Sequence, residues 1–514
     1  MSQGMISNPS SFQTAIFERF MTTSDNIAIN AVAGSGKTST IVHMANLVNS
    51  IDRPFSLFCA FNKAIQTELQ NRLPKGFQCS TFHALGKGIL ESGLYIKTHR
   101  NWVDQWKYRN ICRDLLEDIG EDDLDLIRSL ESAVKYAQLG LVDIDSDEAW
   151  NRMISTYEIE EFDYSKPGAT ETTIRKFTRL ALQKGLAMAK NGECIDFNDM
   201  VWIPAFLPEI RRQKFVNVIV DEAQDLNVCQ RTLLLSVLDP NGGRMMIVGD
   251  PHQAIYGFAG ADCESFPTMV KLLGATEMPL SVSYRCAKSH IELAQSLVPQ
   301  ISASSFAIEG EIKHIRYDAV KDLVSSHRGD MVISRTTAPI VTLAFELLAA
   351  GVPAKIKGRD IMDQICNLAK NCMKGSNDPW ELLGTNLDAW VAKEVERLSK
   401  KKYTEMQIAA LQDRAEALDI IWQRSLGASV RGIDGFKSYV KSVFDENVHG
   451  CVTLSTVHKA KGLEAEHVFI MNPEGMPHPM AKSKEAREQE LNLKYVAFTR
   501  AKDTLYMVAP KPRA

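Results

Sequence analysis

The sequence predicts an α/β protein of two domains, each built on a doubly wound parallel sheet and each carrying a mainly helical insertion. Three observations carry that expectation. The chain has 514 residues, beyond the size at which a single hydrophobic core stops growing. Short β-rich runs alternate with helical stretches, the pattern of parallel sheets with crossover helices. These runs fall into two sets, each interrupted by a long helical block.

In the first set the expected strands are 27–32, 55–61, 77–81, 216–221 and 244–249, and in the second 331–335, 353–357, 452–456, 467–471 and 504–508. The first domain is therefore assigned to 1–87 and 196–279, with 88–195 inserted, and the second to 280–358 and 451–514, with 359–450 inserted. The first insertion is locally acidic (EDIGEDDLD) and contains Trp102 and Trp106, whose i, i+4 spacing reads as packing along one helix. The second contains WVAKEVERLSKKKYTEMQIAALQDRAEAL, and its Lys400–Lys402 run reads as a solvated face.

Composition narrows the class without naming a partner. The net charge of −4 and pI near 6.3 exclude a chain whose whole surface coats a polyanion, so any nucleic-acid site must be a local groove. No apolar stretch approaches the roughly 20 residues of a membrane-spanning helix. The start MSQGMISNPSSF lacks a basic segment followed by an apolar one, which points to the cytoplasm. Ten cysteines contain no CxxC pair, the nearest two being Cys366 and Cys372, so they are expected as small buried hydrophobes rather than zinc ligands or disulfides.

The segment Ile27–Thr38 reads as a buried strand, a small-residue loop and a helix opening with Lys-Thr. Gly34 and Gly36 let successive N–H groups curl inward toward phosphate oxygens, and the helix start adds its positive dipole end. Lys37 reaches the β- and γ-phosphates and Thr38 offers a hydroxyl to Mg²⁺, with Ala33, Ser35 and Ser39 lining the same ATP-binding stretch. Ala31 stands where the general phosphate-loop pattern has glycine. The run Val216–Asp225 supplies the remaining chemistry. A strand of apolar residues ends in Asp221-Glu222, at the edge where open α/β sheets bind ligands. Asp221 is the expected Mg²⁺ ligand, and Glu222 the group that orients and deprotonates water.

AVAGSGKT and VDEAQD, taken with the segments below, resemble the UvrD/Rep/PcrA-like DNA helicases of superfamily 1, in particular compact phage-type or F-box-type members. The resemblance covers both domains in order and spares the two insertions. It implies two RecA-like lobes hydrolysing ATP between them, single-stranded DNA and single/double-strand junctions as partners, and 3′→5′ stepping. It assigns Gln13 to adenine recognition. It places Phe61, Asn62 and Lys63, then Thr81, Phe82 and His83, and then Phe197 on DNA.

In the segment Val248–Phe258 the same resemblance makes Gln253 the γ-phosphate sensor and Tyr256 and Phe258 base-stacking platforms, a sequence-tolerant grip. Further on, Tyr284 stacks on adenine, Arg285 and Arg500 contact phosphate, Gly462 and Glu464 lie near the nucleotide, and His458 lies near DNA. Some positions depart from the family. Ala259 stands where arginine is common, Phe258 replaces tryptophan, and Glu474–His478 lacks a phenylalanine, while Arg335 corresponds to a DNA- or lobe-contacting arginine. The second insertion is shorter than the large accessory subdomain of the repair helicases. With the sequence ending 14 residues after Arg500, no C-terminal nuclease domain is expected. Two alternatives to a helicase remain open at this point: a DNA-stimulated ATPase that displaces proteins or drives a larger complex, and an ATP-switched DNA-binding module.

Overall fold

The computed structural model describes residues 6–93, 102–157, 159, 161–164, 171–255, 264–326, 329–373, 379–399, 405–443 and 451–512. Tyr256, Phe258, Ala259 and Lys400–Lys402 lie outside the described residues. The chain forms two compact units: Met1–Ala31 with Gly36–Leu280, and Val32–Ser35 with Ser281–Ala514. The division thus runs through the glycine-rich loop itself.

The first unit contains β1 (Ile27–Ala31), β2 (Ser56–Ala60), β3 (Gln78–Thr81), β4 (Asn217–Val220), β5 (Arg244–Gly249) and β6 (Thr276–Leu280). They form one parallel sheet in the order β3-β2-β4-β5-β1-β6. The period-2 geometry of a strand sends alternate residues to opposite faces, and both faces here are apolar. Ile27, Ile29 and Ala31 enter one core with Ile16, Ile41 and Met246. Ala28 enters the other with Leu57, Val218 and Ile247. The helices Lys107–Glu117, Leu124–Gly140, Asp147–Thr156 and Thr173–Lys190 pack around a separate core that includes Tyr108, Ile111, Trp150 and Phe177.

The second unit begins its strands with a short pair, β7 (Val282–Ser283) and β8 (Ser302–Ala303). Its main sheet contains β9 (Glu311–Ile315), β10 (Met331–Ser334), β11 (Ala354–Lys357), β12 (Val452–Thr456), β13 (Ala465–Met471) and β14 (Ala501–Val508), ordered β11-β12-β10-β13-β14-β9 and parallel throughout. Here the helices Arg359–Cys372, Leu383–Ser399, Glu405–Gly427 and Gly432–Val443 share one core with the sheet, in which Ile365, Leu383, Ile421 and Phe436 join Val332 and Leu454. Asp413 reinforces that union by accepting from the backbone N–H groups of Thr337 and Ala338 (2.8 and 2.9 Å), which caps the helix Ala338–Ala349.

The fold is α/β with two RecA-like parallel sheets, as the strand pattern predicts. Each of the ten expected strands is present to within a few residues at its ends. β6 and β9, one edge strand of each sheet, and the short β7–β8 pair are not expected from the sequence. β9 has no buried residue and β6 is buried only at Leu280 and contains Pro279, so neither shows the apolar run of an interior strand. The expectation for Trp102 and Trp106 is also corrected. Val103 forms a parallel bridge with Ile195, so the helix starts only at Lys107. Trp102 is buried in the core beside the sheet, while Trp106 is exposed with the Arg109 guanidinium 5.6 Å from its ring. The cysteines behave as expected. All nine described are free, and eight are buried.

Candidate active site

In the first unit, β1, β5 and β4 are neighbours, and all three end at the same edge of the sheet. After β1 the chain enters the glycine loop. Gly34 has φ +71°, and a Cβ there would stand 2.6 Å from the Cβ of Arg285, so glycine is required on both counts. Gly36, at φ +79°, caps the helix Lys37–Leu47, which puts Lys37, Thr38 and Ser39 in its first turn. Ser35 is buried, and its Oγ has no hydrogen-bond partner. Gln13 is buried, and its side chain is used twice. Its Oε1 accepts from Ser10 N (3.0 Å) in a capping box, and its Nε2 donates to Thr40 Oγ1 (3.0 Å).

After β4, Asp221 is buried and accepts from the N–H of Glu222 (2.9 Å), while Glu222 itself adopts a left-handed backbone with φ +52°. A non-glycine residue in that region marks strain that the surroundings must hold in place. After β5, Asp250 is fully buried and accepts from Gln253 Nε2 (2.6 Å) and His252 N (3.1 Å). Burial pushes the Asp250 carboxyl upward, and the nearby Lys37 ammonium and the Gln253 amide pull it back. Lys37, Asp221, Glu222 and Gln253 thus all belong to one sheet edge.

The residues expected on DNA occupy three places in the same unit. Asn62 caps the helix Lys63–Gln70 with its Oδ1, and Phe61 and Lys63 flank it just beyond β2. Thr81 ends β3, and its hydroxyl accepts from Ala84 N (3.3 Å). Phe82 is 1% exposed and packs in the sheet core, so the structure makes it a core residue rather than a surface one. His83 is exposed and meets the half-exposed Phe197 edge-on, with ring centroids 6.0 Å apart. Phe197 opens a helix, Phe197–Phe206, whose first turn is locked by the reciprocal capping box of Asp196 and Asp199.

In the second unit the expected residues divide between the two edges of the sheet. Leu463 and Glu464 precede β13 and Arg500 precedes β14, at the edge where these parallel strands begin. Glu464 is paired on one oxygen with Arg285 and on the other with Lys502 (2.8 Å). Partial burial raises its pKa, but the two cations outweigh that and hold the carboxyl below its ordinary value. Arg500 is buried, donating to Val496 O (2.9 Å), Leu463 O (3.2 Å) and Thr499 Oγ1 (3.2 Å). The loop Val32–Ser35 joins this unit through Ala33 N to Tyr495 Oη (2.9 Å) and Tyr284 N to Gly34 O (2.8 Å). Tyr284 keeps its ring half-exposed, and Gly462 is exposed at φ +83°. At the opposite edge, His458 follows β12 and Arg335 follows β10. Arg335 makes a bidentate pair with the buried Glu490 (2.6–3.0 Å). Burial, Arg335 and Lys459 together push the His458 imidazole down to about 3, so it is neutral near pH 7.

Comparison with known proteins fits this arrangement. The model of the UvrD/REP helicase N-terminal domain matches residues 13–272, half of the chain, and that of the UvrD-like helicase C-terminal domain matches residues 452–508. The chain belongs to the UvrD/REP helicase family.

Among its relatives are F-box DNA helicase protein 1 of Schizosaccharomyces pombe (23% identical, covering 96% of this chain and 57% of that protein) and ATP-dependent DNA helicase PcrA of Staphylococcus aureus (25% identical, covering 95% and 82%). DNA helicase II of Escherichia coli is 24% identical over 53% of this chain and 38% of its own length. The chain therefore spans little more than half of the first of these and less than half of the last.

Five residues beyond those expected from the sequence partner the expected groups or their neighbours. Gln224 and Asp250 stand inside the recognised motifs, but only their hydrogen bonds reveal that they connect Glu222 to Gln253. Glu490 and Lys502 emerge as the partners of Arg335 and Glu464. Lys107 is fully buried and donates to Asp199, which also accepts from Tyr108 Oη (2.8 Å) and Gln138 Nε2 (3.2 Å). A lone lysine 92 residues away from Asp199 gives no sequence signal of that pairing.

Proposed function

We propose that this protein is an ATP-dependent DNA helicase or translocase that steps 3′→5′ on single-stranded DNA and separates strands at single/double-strand junctions. The observation that carries the reading is the convergence of β1, β4 and β5 on one sheet edge. There they deliver a phosphate loop with Lys37, an acid pair, and Gln253. A lysine at a helix start, a carboxylate beside it and a base for water are the parts phosphoryl transfer to water requires.

ATP fits the loop chemically. Gly34 and Gly36 supply left-handed backbone, the helix start supplies N–H donors, and the buried Ser35 hydroxyl has its hydrogen-bonding capacity unused. Mg²⁺ fits as well, since the Thr38 hydroxyl and the buried Asp221 carboxylate are hard oxygen donors and this ion takes one or two protein oxygens alongside phosphate. When bound it would neutralise charge on the phosphates. Glu222 would orient and deprotonate the attacking water, Lys37 would hold the β- and γ-phosphates, and Gln253 would register the γ-phosphate. Arg285 and Arg500 would stabilise the charge of the transferring group, with Tyr284 and Gln13 on adenine and Glu464 near the ribose.

Motion follows from how these residues are shared. The resemblance assigns nucleotide-contacting groups to both units, Lys37, Asp221, Glu222 and Gln253 to one and Arg285, Glu464 and Arg500 to the other. Each unit also carries residues assigned to DNA: Phe61, Asn62, Lys63, Thr81, His83 and Phe197 in one and His458 in the other. A cycle of nucleotide binding and release would then move one grip relative to the other.

The test is ATP turnover by the purified chain with and without a single-stranded oligonucleotide, beside Lys37→Ala. Turnover that rises with DNA and vanishes in Lys37→Ala supports the proposal. Turnover undiminished in Lys37→Ala would show that the nucleotide site is misplaced.

A further inference from the structure

A line of hydrogen bonds, part-buried at Glu222 and buried beyond it, joins the end of β4 to the turn after β5. Glu222 Oε2 accepts from Gln224 Nε2, Gln224 Oε1 accepts from Asp250 N (3.1 Å), and Asp250 Oδ2 accepts from Gln253 Nε2 (2.6 Å). Gln224 Nε2 also lies 3.4 Å from Asp225 Oδ2. Gln224 and Asp250 have no solvent exposure and Gln253 is 5% exposed. Water therefore does not compete for the Gln224–Asp250 and Asp250–Gln253 bonds, and their low-dielectric surroundings strengthen them.

The amide of Gln224 can point only one way. Its N–H end faces a carboxylate and its oxygen faces a backbone N–H. Turning it over would set oxygen against the Glu222 carboxylate and N–H against N–H. The backbone is shaped to admit it. A Cβ on Gly249 would stand 2.5 Å from Gln224 Oε1 and 3.0 Å from the Phe266 ring, so β5 must be bare there for the amide to seat.

We propose that Gln224 is a positioning residue that fixes one oxygen of Glu222 and ties that carboxylate, through Asp250, to Gln253. Whether Gln253 is engaged by a phosphate then bears on how Glu222 is aimed. This rests on the reading of Glu222 as the group that activates water. Losing the hold of Gln224 lets the strained Glu222 backbone and its side chain drift, and a displacement of about 1 Å costs on the order of 10²-fold in rate.

The experiment uses the full chain with ATP, Mg²⁺ and a single-stranded oligonucleotide. Gln224→Met keeps the volume and removes the three side-chain hydrogen bonds of Gln224, and Gly249→Ala keeps Gln224 but pushes it from its seat. For both, kcat should fall about 10²-fold while KM for ATP moves less than about threefold, the split expected when only transition-state interactions are lost. The loss from Gln224→Met should shrink to a few-fold in a Gln253→Ala background, because residues acting as a unit are non-additive. Unchanged kcat in both variants would overturn the proposal, and so would a full further loss in the Gln253→Ala background. If Gln224→Met does not fold, Gly249→Ala alone decides by the same split. Glu222→Gln separates the two failures. Full activity in that variant refutes the reading of the base. An inactive Glu222→Gln beside a normal Gln224→Met refutes only the linkage.

Discussion

Lys107 and Asp199 form an ion pair in which neither side chain touches solvent, and it joins the first helical block to the helix that begins at Phe197. Lys107 also donates to Gly185 O (2.7 Å), and Asp199 gathers Tyr108, Gln138 and the N–H of Asp196. The exposed Phe197 ring is therefore set by a buried polar network reaching into three helices. Removing one partner of such a pair leaves an uncompensated buried charge, which costs roughly 3–5 kcal/mol. Lys107→Met should lower stability to urea by that order, with the double variant Lys107→Met/Asp199→Asn recovering part of it. A Lys107→Met chain as stable as the parent would show that the pair contributes nothing.

The same cluster gives a pH dependence of unusual sign. Burial, and then the neighbouring Asp199 charge, raise the Asp196 carboxyl from 3.8 to about 7. A raised carboxylate means that the folded state binds more protons than the unfolded one inside that window. Its contribution to stability is therefore present at the acid end and is lost as pH climbs from about 4 to about 7. Asp196→Asn should remove this component. The stability difference between variant and parent, followed by urea denaturation from pH 4 to 8, should shift in favour of Asn as pH rises, and a constant difference would contradict the assignment.

At the far edge of the second sheet, Glu490 accepts three hydrogen bonds from Arg335 and one from His478 N (2.9 Å). Glu490→Ala would leave the Arg335 guanidinium unpaired beside the half-buried His458, at a cost of about 3 kcal/mol or more. Chemical denaturation of Glu490→Ala against Arg335→Ala/Glu490→Ala checks it, the double variant being the less damaged of the two.

Arg500 is held by backbone and hydroxyl oxygens inside its own unit, so its substitution should be read in binding and turnover together. An arginine that stabilises the transferring phosphoryl group is worth about 10³–10⁵ in rate. Arg500→Ala should lower kcat by that order and weaken the affinity for a non-hydrolysable ATP analogue less than about tenfold. Equal losses in both would argue against a role in the transition state.

Much of the fold was legible because interior strands of a parallel sheet are apolar on both faces. Ile27–Ala31 and Val452–Thr456 declare themselves by composition, whereas the exposed Glu311–Ile315 and the proline-bearing Thr276–Leu280 do not. The candidate nucleotide site was legible for a related reason: its groups sit in short runs, with Lys37 and Thr38 in one and Asp221 and Glu222 in another. The partners of those groups were not. Lys107 and Glu490 act through contacts 92 and 155 residues away in sequence, which no local pattern encodes. Phe82 shows the opposite error, since a residue beside exposed His83 reads as surface until the helix turns its ring into the core.

ATP-driven displacement of a labelled strand from duplexes carrying either a 3′ or a 5′ single-stranded tail tests the motor reading most directly. Displacement from 3′-tailed duplexes should require ATP and be lost in Lys37→Ala. Displacement confined to 5′-tailed duplexes, or none on either substrate while ATP is being hydrolysed, would contradict the motor reading.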